Sequence, residues 1–123
     1  MLKGLKRVVY QVPDITKGKQ WYRELIGKDP VFDAPFGVVF SIEGYELVLT
    51  PQVSAKAENG GNVIAYWGVD DVESAFNRLK ELGASHHSEI NTVNGTQVAS
   101  VVDPFGNILG IKGTEADTSK ASV

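Results

Sequence analysis

Residues 62–83 read NVIAYWGVDDVESAFNRLKELG and predict a β-strand followed by an amphipathic helix. Apolar residues alternate as far as Val69, and Asp71 then suits the N-cap of a helix, because its side chain can accept hydrogen bonds from the first turn. Apolar residues next recur at helical spacing until Gly83, a residue type common just after a helix. This stretch therefore predicts one β-α unit.

The same pattern occurs once before, in KRVVYQVPDITKGKQWYRELIG at residues 6–27. Asp14 is the predicted N-cap, and the helix runs from Ile15 to Ile26 although Gly18 weakens its helical propensity. The two caps, at positions 14 and 71, are 57 residues apart, and so are the valines at positions 12 and 69. The chain therefore contains an internal repeat.

Each predicted helix is followed by three short strand-like segments that turn residues separate. They are Val31–Ala34, Val38–Ile42 and Tyr45–Thr50 in the first half, and His86–Ile90, Thr96–Val102 and Ile108–Lys112 in the second. Glu43-Gly44 and Asn94-Gly95 are the predicted hairpin turns. Both halves thus predict a βαβββ module, at about residues 4–51 and 62–112, joined by a linker and followed by a flexible tail at 114–123. The expected fold class is α+β.

Length and composition favour a single small domain over residues 1–113 of the 123-residue chain. The chain has no cysteine, which excludes disulfides, thiol nucleophiles and cysteine-bound metal. Its net charge of −3 argues against binding nucleic acid through phosphates. No apolar run approaches the roughly 20 residues of a membrane-spanning helix, and the N-terminus lacks the apolar region of a secretory signal. We therefore expect a cytoplasmic protein with no membrane partner.

Alternation along the strands divides each predicted sheet into two faces. One face is apolar throughout and suits coverage by a helix; it includes Val8, Tyr10, Val12, Tyr45, Leu47, Leu49, Trp67, Leu109 and Ile111. With them, Trp21 and Tyr22 of the first helix are predicted core residues. The other face, called the mixed face below, includes Arg7, Val9, Gln11, Glu46, Tyr66 and Gly110. A mixed face is either plain surface or the lining of a cleft.

Two segments resemble a known family. YQVPDITKGKQWYRELIG, residues 10–27, is similar to the opening strand and helix of the vicinal oxygen chelate superfamily, and VVDPFGNILGI, residues 101–111, resembles its DP-x-GN turn and closing strand. That superfamily includes glyoxalase I, extradiol dioxygenases, fosfomycin-resistance enzymes and bleomycin-binding proteins. The resemblance implies two βαβββ modules that form a cupped mixed sheet around a cleft, with helices on the outer face, and often a homodimer.

The resemblance also implies a metal ion held by the first and last strands of each module. Carried over residue by residue, its four ligand positions fall on Arg7, Glu46, Ile64 and Gly110. Of the four, Glu46 alone can bind a divalent cation, since a guanidinium, a hydrocarbon and a missing side chain cannot. We therefore expect no metal and no cofactor.

Arg7 and Glu46 are expected to lie close together, as an ion pair or a split polar anchor. They either orient a ligand or form a surface salt bridge without function. Gln11 and Tyr66 are predicted as secondary ligand contacts. Phe36 and Phe40 lie where strands of the family wall the cleft, with core packing and ligand stacking equally favoured for both, and Phe40 is counted among the candidate ligand contacts.

Two further features have structural explanations. His86 and His87 are adjacent in a strand and should point to opposite faces, so they are expected to be ordinary surface histidines, although one could reach the cleft as a proton carrier. Asp103 begins a turn whose residue types suit the backbone, and we expect it to be structural.

The leading functional hypothesis is a metal-free binder of a small organic molecule, similar to the bleomycin-resistance branch, that sequesters an antibiotic or binds a metabolite, with a homodimer as the expected assembly. The alternative is a lyase or isomerase of the same superfamily in which Glu46 acts as general base and Arg7 stabilises an anion. A third possibility is a vestigial cleft in a protein that acts by association.

Overall fold

The computed structural model describes residues 1–51 and 63–113, so the predicted linker at 52–62 and the tail at 114–123 lie outside the described residues. The chain divides into two compact units, Met1–Ala57 (unit 1) and Glu58–Val123 (unit 2). Each unit holds one helix and one four-stranded sheet in the order βαβββ. The predicted α+β class and the two modules are therefore confirmed.

The elements follow the predicted boundaries closely. Unit 1 consists of β1 (Arg7–Val12), α1 (Ile15–Ile26), β2 (Phe32–Ala34), β3 (Gly37–Ile42) and β4 (Tyr45–Pro51). Unit 2 consists of β5 (Ala65–Gly68), α2 (Val72–Glu81), β6 (Ser85–Val93), β7 (Thr96–Val102) and β8 (Ile108–Lys112). The largest difference is β6, which continues three residues beyond its predicted end at Ile90, as far as the hairpin turn.

Both sheets have the same topology. The strand orders are β1-β4-β3-β2 and β5-β8-β7-β6, so the last strand of each unit lies beside its first. These first and last strands pair in parallel, and the remaining pairs are antiparallel. This topology makes Arg7 a register partner of Glu46, and Tyr66 a register partner of Gly110.

The predicted caps and turns are present. The Asp14 side chain accepts from the backbone N–H groups of Thr16 and Lys17, and Asp71 accepts from the N–H of Ser74. Glu43-Gly44 and Asn94-Gly95 all have positive φ angles, as the tightest hairpin turns require. Local sequence chemistry therefore explains where these elements start and reverse.

Each helix covers the apolar face of its own sheet, α1 against β3 and β4 and α2 against β6, β7 and β8. The alternation is confirmed in β1, where Tyr10 and Val12 are buried while Val9 and Gln11 are exposed. Tyr22 is buried and Trp67 is partly buried. The prediction for Tyr45 is wrong: its side chain is 51% exposed, because it is the first residue of β4, directly after the hairpin turn at the end of the sheet.

Across residues 1–51 and 63–113, no helix is both long enough and apolar enough to cross a membrane.

Candidate functional site

The mixed face of unit 1 carries an ion pair. Arg7 Nη2 lies 2.6 Å from Glu46 Oε1, and the two side chains are 55% and 41% exposed. They face each other because β1 and β4 run in parallel with Arg7 and Glu46 in register. The pair expected from the sequence is therefore present, and both partners remain accessible from solvent.

An apolar strip continues from this pair along the same face. Val9 of β1, Val48 of β4 and Val39 of β3 are register partners two residues further along their strands. Val9 is half exposed whereas Val48 is nearly buried. Gln11 follows after two more residues, opposite Thr50. The face thus combines a charged pair with a neighbouring hydrophobic surface, the usual composition of a ligand contact.

Phe40 belongs to the opposite face. It pairs with Leu47, which alternates with Glu46, and its side chain is 1% exposed. Phe40 therefore packs in the core, and the prediction that it contacts a ligand is wrong. Alternation within one strand could not decide this, because β3 is apolar at nearly every position and its register with β4 was not known. Phe36, in contrast, is 71% exposed and packs against Phe32.

The mixed face of unit 2 is shaped by a contact between Tyr66 and Gly110. A Cβ atom at position 110 would lie 2.6 Å from Tyr66 Cδ1, 2.8 Å from its Cε1 and 2.9 Å from the backbone oxygen of Ala65. Real side chains do not approach this closely. The Tyr66 ring therefore covers Gly110 and fills the space into which a side chain at that position would project, while remaining 48% exposed.

A hydrogen bond on the same face joins His87 to Ser100, with His87 Nδ1 2.7 Å from Ser100 Oγ. His86 pairs with Val101 and Ser88 with Ser100, so His87 is the extra residue of a β-bulge. The His86 ring contacts Phe76 of α2 instead, which confirms that the two histidines point to opposite faces. Ser100 was not among the predicted site residues, although it is a polar residue that alternates with Ala99 and Val101 of the core.

The four positions at which the resemblance places the family's metal ligands hold a poor donor set for a metal ion. In unit 1 the Glu46 carboxylate contacts a guanidinium, and in unit 2 a tyrosine ring covers Gly110. Ile64, just before β5, has a hydrocarbon side chain. Within the part of the chain that the structure describes, no three His, Asp or Glu side chains come together as a metal site would need.

Asp103 organises the turn between β7 and β8. Its Oδ1 accepts from the backbone N–H groups of Phe105, at 2.9 Å, and Asn107, at 2.8 Å. Its Oδ2 accepts from Asn107 Nδ2 at 3.2 Å. The carboxylate is buried, so its role is to hold the turn rather than to meet a ligand, as expected from the sequence.

Comparison with known proteins identifies the relatives of this chain. A profile of the Glyoxalase/Bleomycin resistance protein/Dioxygenase superfamily matches residues 4–111. Metallothiol transferase FosB of Staphylococcus haemolyticus is 27% identical over 99 residues, which cover 77% of this chain and 67% of that protein.

Two solved structures illustrate the likeness in fold. A glyoxalase-related enzyme from Fulvimarina pelagi has a TM-score of 0.75 at 20% identity, covering 92% of this chain and 89% of that one. Lactoylglutathione lyase from Agrobacterium tumefaciens has a TM-score of 0.71 at 19% identity, covering 93% and 96%. At these identities the likeness shows a shared fold.

Proposed function

Because this chain belongs to the Glyoxalase/Bleomycin resistance protein/Dioxygenase superfamily, we propose that it is a metal-free binder of a small organic molecule on the mixed face of unit 1. The observation that carries the proposal is the Arg7–Glu46 ion pair: it takes up the one carboxylate among the four ligand positions and remains about half exposed.

The pair can act as a two-part polar anchor. A guanidinium has five N–H donors, and the contact to Glu46 Oε1 engages one edge of it, which leaves donors for an anionic or carbonyl oxygen of a ligand. The second carboxylate oxygen of Glu46 can accept from a ligand ammonium or amide. The strip around Val9 supplies apolar contact beside these groups. A compound with neighbouring donor and acceptor groups on a hydrophobic body fits this face.

Metal content is the first test. We expect the untagged protein, purified without chelator and incubated with Ni²⁺, Zn²⁺, Mn²⁺ and Fe²⁺, to retain well under one equivalent of any of them after desalting, because the ligand positions offer one carboxylate and that carboxylate contacts Arg7. Inductively coupled plasma mass spectrometry measures this directly. A stoichiometry near one metal per chain would contradict the proposal.

Ligand binding is the second test. A thermal-shift screen of cationic antibiotics, bleomycin included, and of metabolites should yield compounds that raise the melting temperature in a saturable way. Glu46→Gln keeps the size of the side chain but removes its charge, and we expect it to weaken binding of those compounds about tenfold, or about 1.4 kcal/mol. Calorimetric titration gives the two affinities.

The matched control for that substitution is Glu89→Gln, which removes the same charge from an exposed position on β6. It should leave affinity within about twofold, less than 0.5 kcal/mol. Equal affinity in wild type and Glu46→Gln would mean that the ion pair is a surface salt bridge, which contributes at most about 1 kcal/mol to stability and nothing to recognition.

An enzyme is the second candidate. Two of the similar proteins, a metallothiol transferase and a lactoylglutathione lyase, are themselves enzymes. In that case Glu46 would act as general base and Arg7 would stabilise a developing negative charge. Catalytic turnover of lactoylglutathione that Glu46→Ala abolishes would support the enzyme. Stoichiometric binding of the screened compounds without turnover would support the binder.

A further inference from the structure

A second polar site lies on the mixed face of unit 2. It is built around Ser100, which is 1% exposed, and His87, whose Nδ1 lies 2.7 Å from the serine hydroxyl. The β-bulge gives β6 one extra residue opposite Ser100, and this insertion turns the His87 ring toward β7. An exposed histidine is thus held in place by a buried hydroxyl.

The hydrogen bond determines which ring nitrogen of His87 carries the proton. A hydroxyl has a single proton, and a buried donor that lacks an acceptor costs more than an acceptor with an unused lone pair. We therefore assign Ser100 Oγ–H as the donor and His87 Nδ1 as the acceptor. The ring proton of the neutral imidazole then lies on Nε2, on the side of the ring away from Ser100.

The Tyr66 ring lies over Gly110, on the strand next to Ser100. Ser100 and Gly110 are register partners on adjacent strands, which are about 4.8 Å apart. The Tyr66 ring covers Gly110, and the imidazole is bonded to Ser100, so the two rings occupy neighbouring positions of the face. The tyrosine ring is half exposed and offers an aromatic surface beside a fixed N–H donor.

The donor on this face suits an acceptor oxygen. Because Nδ1 is engaged by Ser100, the Nε2–H of His87 is held in place and can donate to a carboxylate oxygen. An ammonium group, in contrast, has no lone pair with which to accept from it.

We propose that the mixed face of unit 2 binds an aromatic carboxylate: His87 Nε2–H donates to the carboxylate, the Tyr66 ring packs against the aromatic ring, and Ser100 is the positioning residue that holds the imidazole. The two parts of such a ligand match the two features that the face presents, a rigid donor and an exposed aromatic surface.

Benzoate is the probe for this site. In ¹⁵N-labelled full-length protein, we expect saturable shifts of the His87 and Tyr66 signals with a dissociation constant in the millimolar range, as suits a ligand of this size. His87→Ala should weaken benzoate about tenfold, since alanine has no side-chain donor. His86→Ala is the matched control, because His86 faces Phe76, and should change the affinity less than twofold.

The positioning role of Ser100 has its own readout. Long-range ¹H–¹⁵N correlation spectra report which imidazole nitrogen is protonated, and we expect Nε2 for His87 in the wild type and a mixture of tautomers in Ser100→Ala. A proton on Nδ1 in the wild type, absence of saturable benzoate shifts, or equal affinity in His87→Ala would each overturn the proposal. None of these results depends on Glu46, so the two proposed sites can fail separately.

Discussion

Replacement of Asp103 by alanine is expected to lower the free energy of unfolding by about 3 kcal/mol, because the substitution removes several charge-assisted hydrogen bonds that a buried carboxylate accepts. The carboxylate is 2% exposed and accepts from two backbone N–H groups and from the Asn107 side chain. Alanine cannot accept any of these bonds, and water has little access to replace them.

Urea unfolding followed by circular dichroism measures this change, with Asp103→Asn as a graded variant. Asparagine retains one oxygen for the backbone N–H groups but presents an amide NH2 where Oδ2 accepts from Asn107. The Asp103→Asn variant should therefore lose roughly half as much free energy of unfolding as Asp103→Ala. Glu89→Ala, at an exposed position of β6, controls for the lost charge and should stay within about 0.5 kcal/mol. An Asp103→Ala effect no larger than this control would contradict the structural role of the turn.

Replacement of Gly18 by alanine is expected to destabilise the protein by about 1–3 kcal/mol, although the same change in an exposed helix would stabilise it. A Cβ at position 18 would lie 2.9 Å from Val12 Cγ2 and 3.2 Å from its Cγ1. Val12 is fully buried, and its branched side chain has few alternative rotamers, so it cannot move aside easily. Gly18 therefore permits the close approach of α1 to β1.

A double-mutant cycle isolates this contact. Val12→Ala makes room for the new methyl group, so Gly18→Ala should be much less harmful in that background, with a coupling energy of about 1 kcal/mol or more. Gly68→Ala is the matched control, since a Cβ there meets nothing within 4 Å and the backbone does not have positive φ. A stabilising effect of Gly18→Ala in the wild-type background would show that α1 does not pack as closely as the structure indicates.

Local patterns accounted for most of the fold. The repeat, the aspartate caps and the hairpin turns depend on residues close together in sequence, and the structure has them where they were predicted. The Arg7–Glu46 pair was also predictable, but through the family's strand order rather than through spacing. Tyr45 shows where alternation stops being informative: the pattern continues to the end of the strand, whereas coverage by the helix does not.

The residues that required tertiary structure are those whose neighbours come from distant strands. Phe40 could be assigned to the core only when its register with Leu47 was known. The hydrogen bond between Ser100 and His87 forms because a bulge in β6 places His87 opposite Ser100. It could not be predicted, since a bulge shifts the register without a distinctive sequence signal.

The sequence by itself determined the two βαβββ modules, because periodicity and helix caps are properties of short segments. Only the tertiary structure decided that Gly18 and Gly110 are sites of close approach, to Val12 and to Tyr66. A glycine in a helix or a strand looks like a local weakness until the partner that occupies the space of its missing side chain is known, and that partner is chosen by packing and register across the sheet.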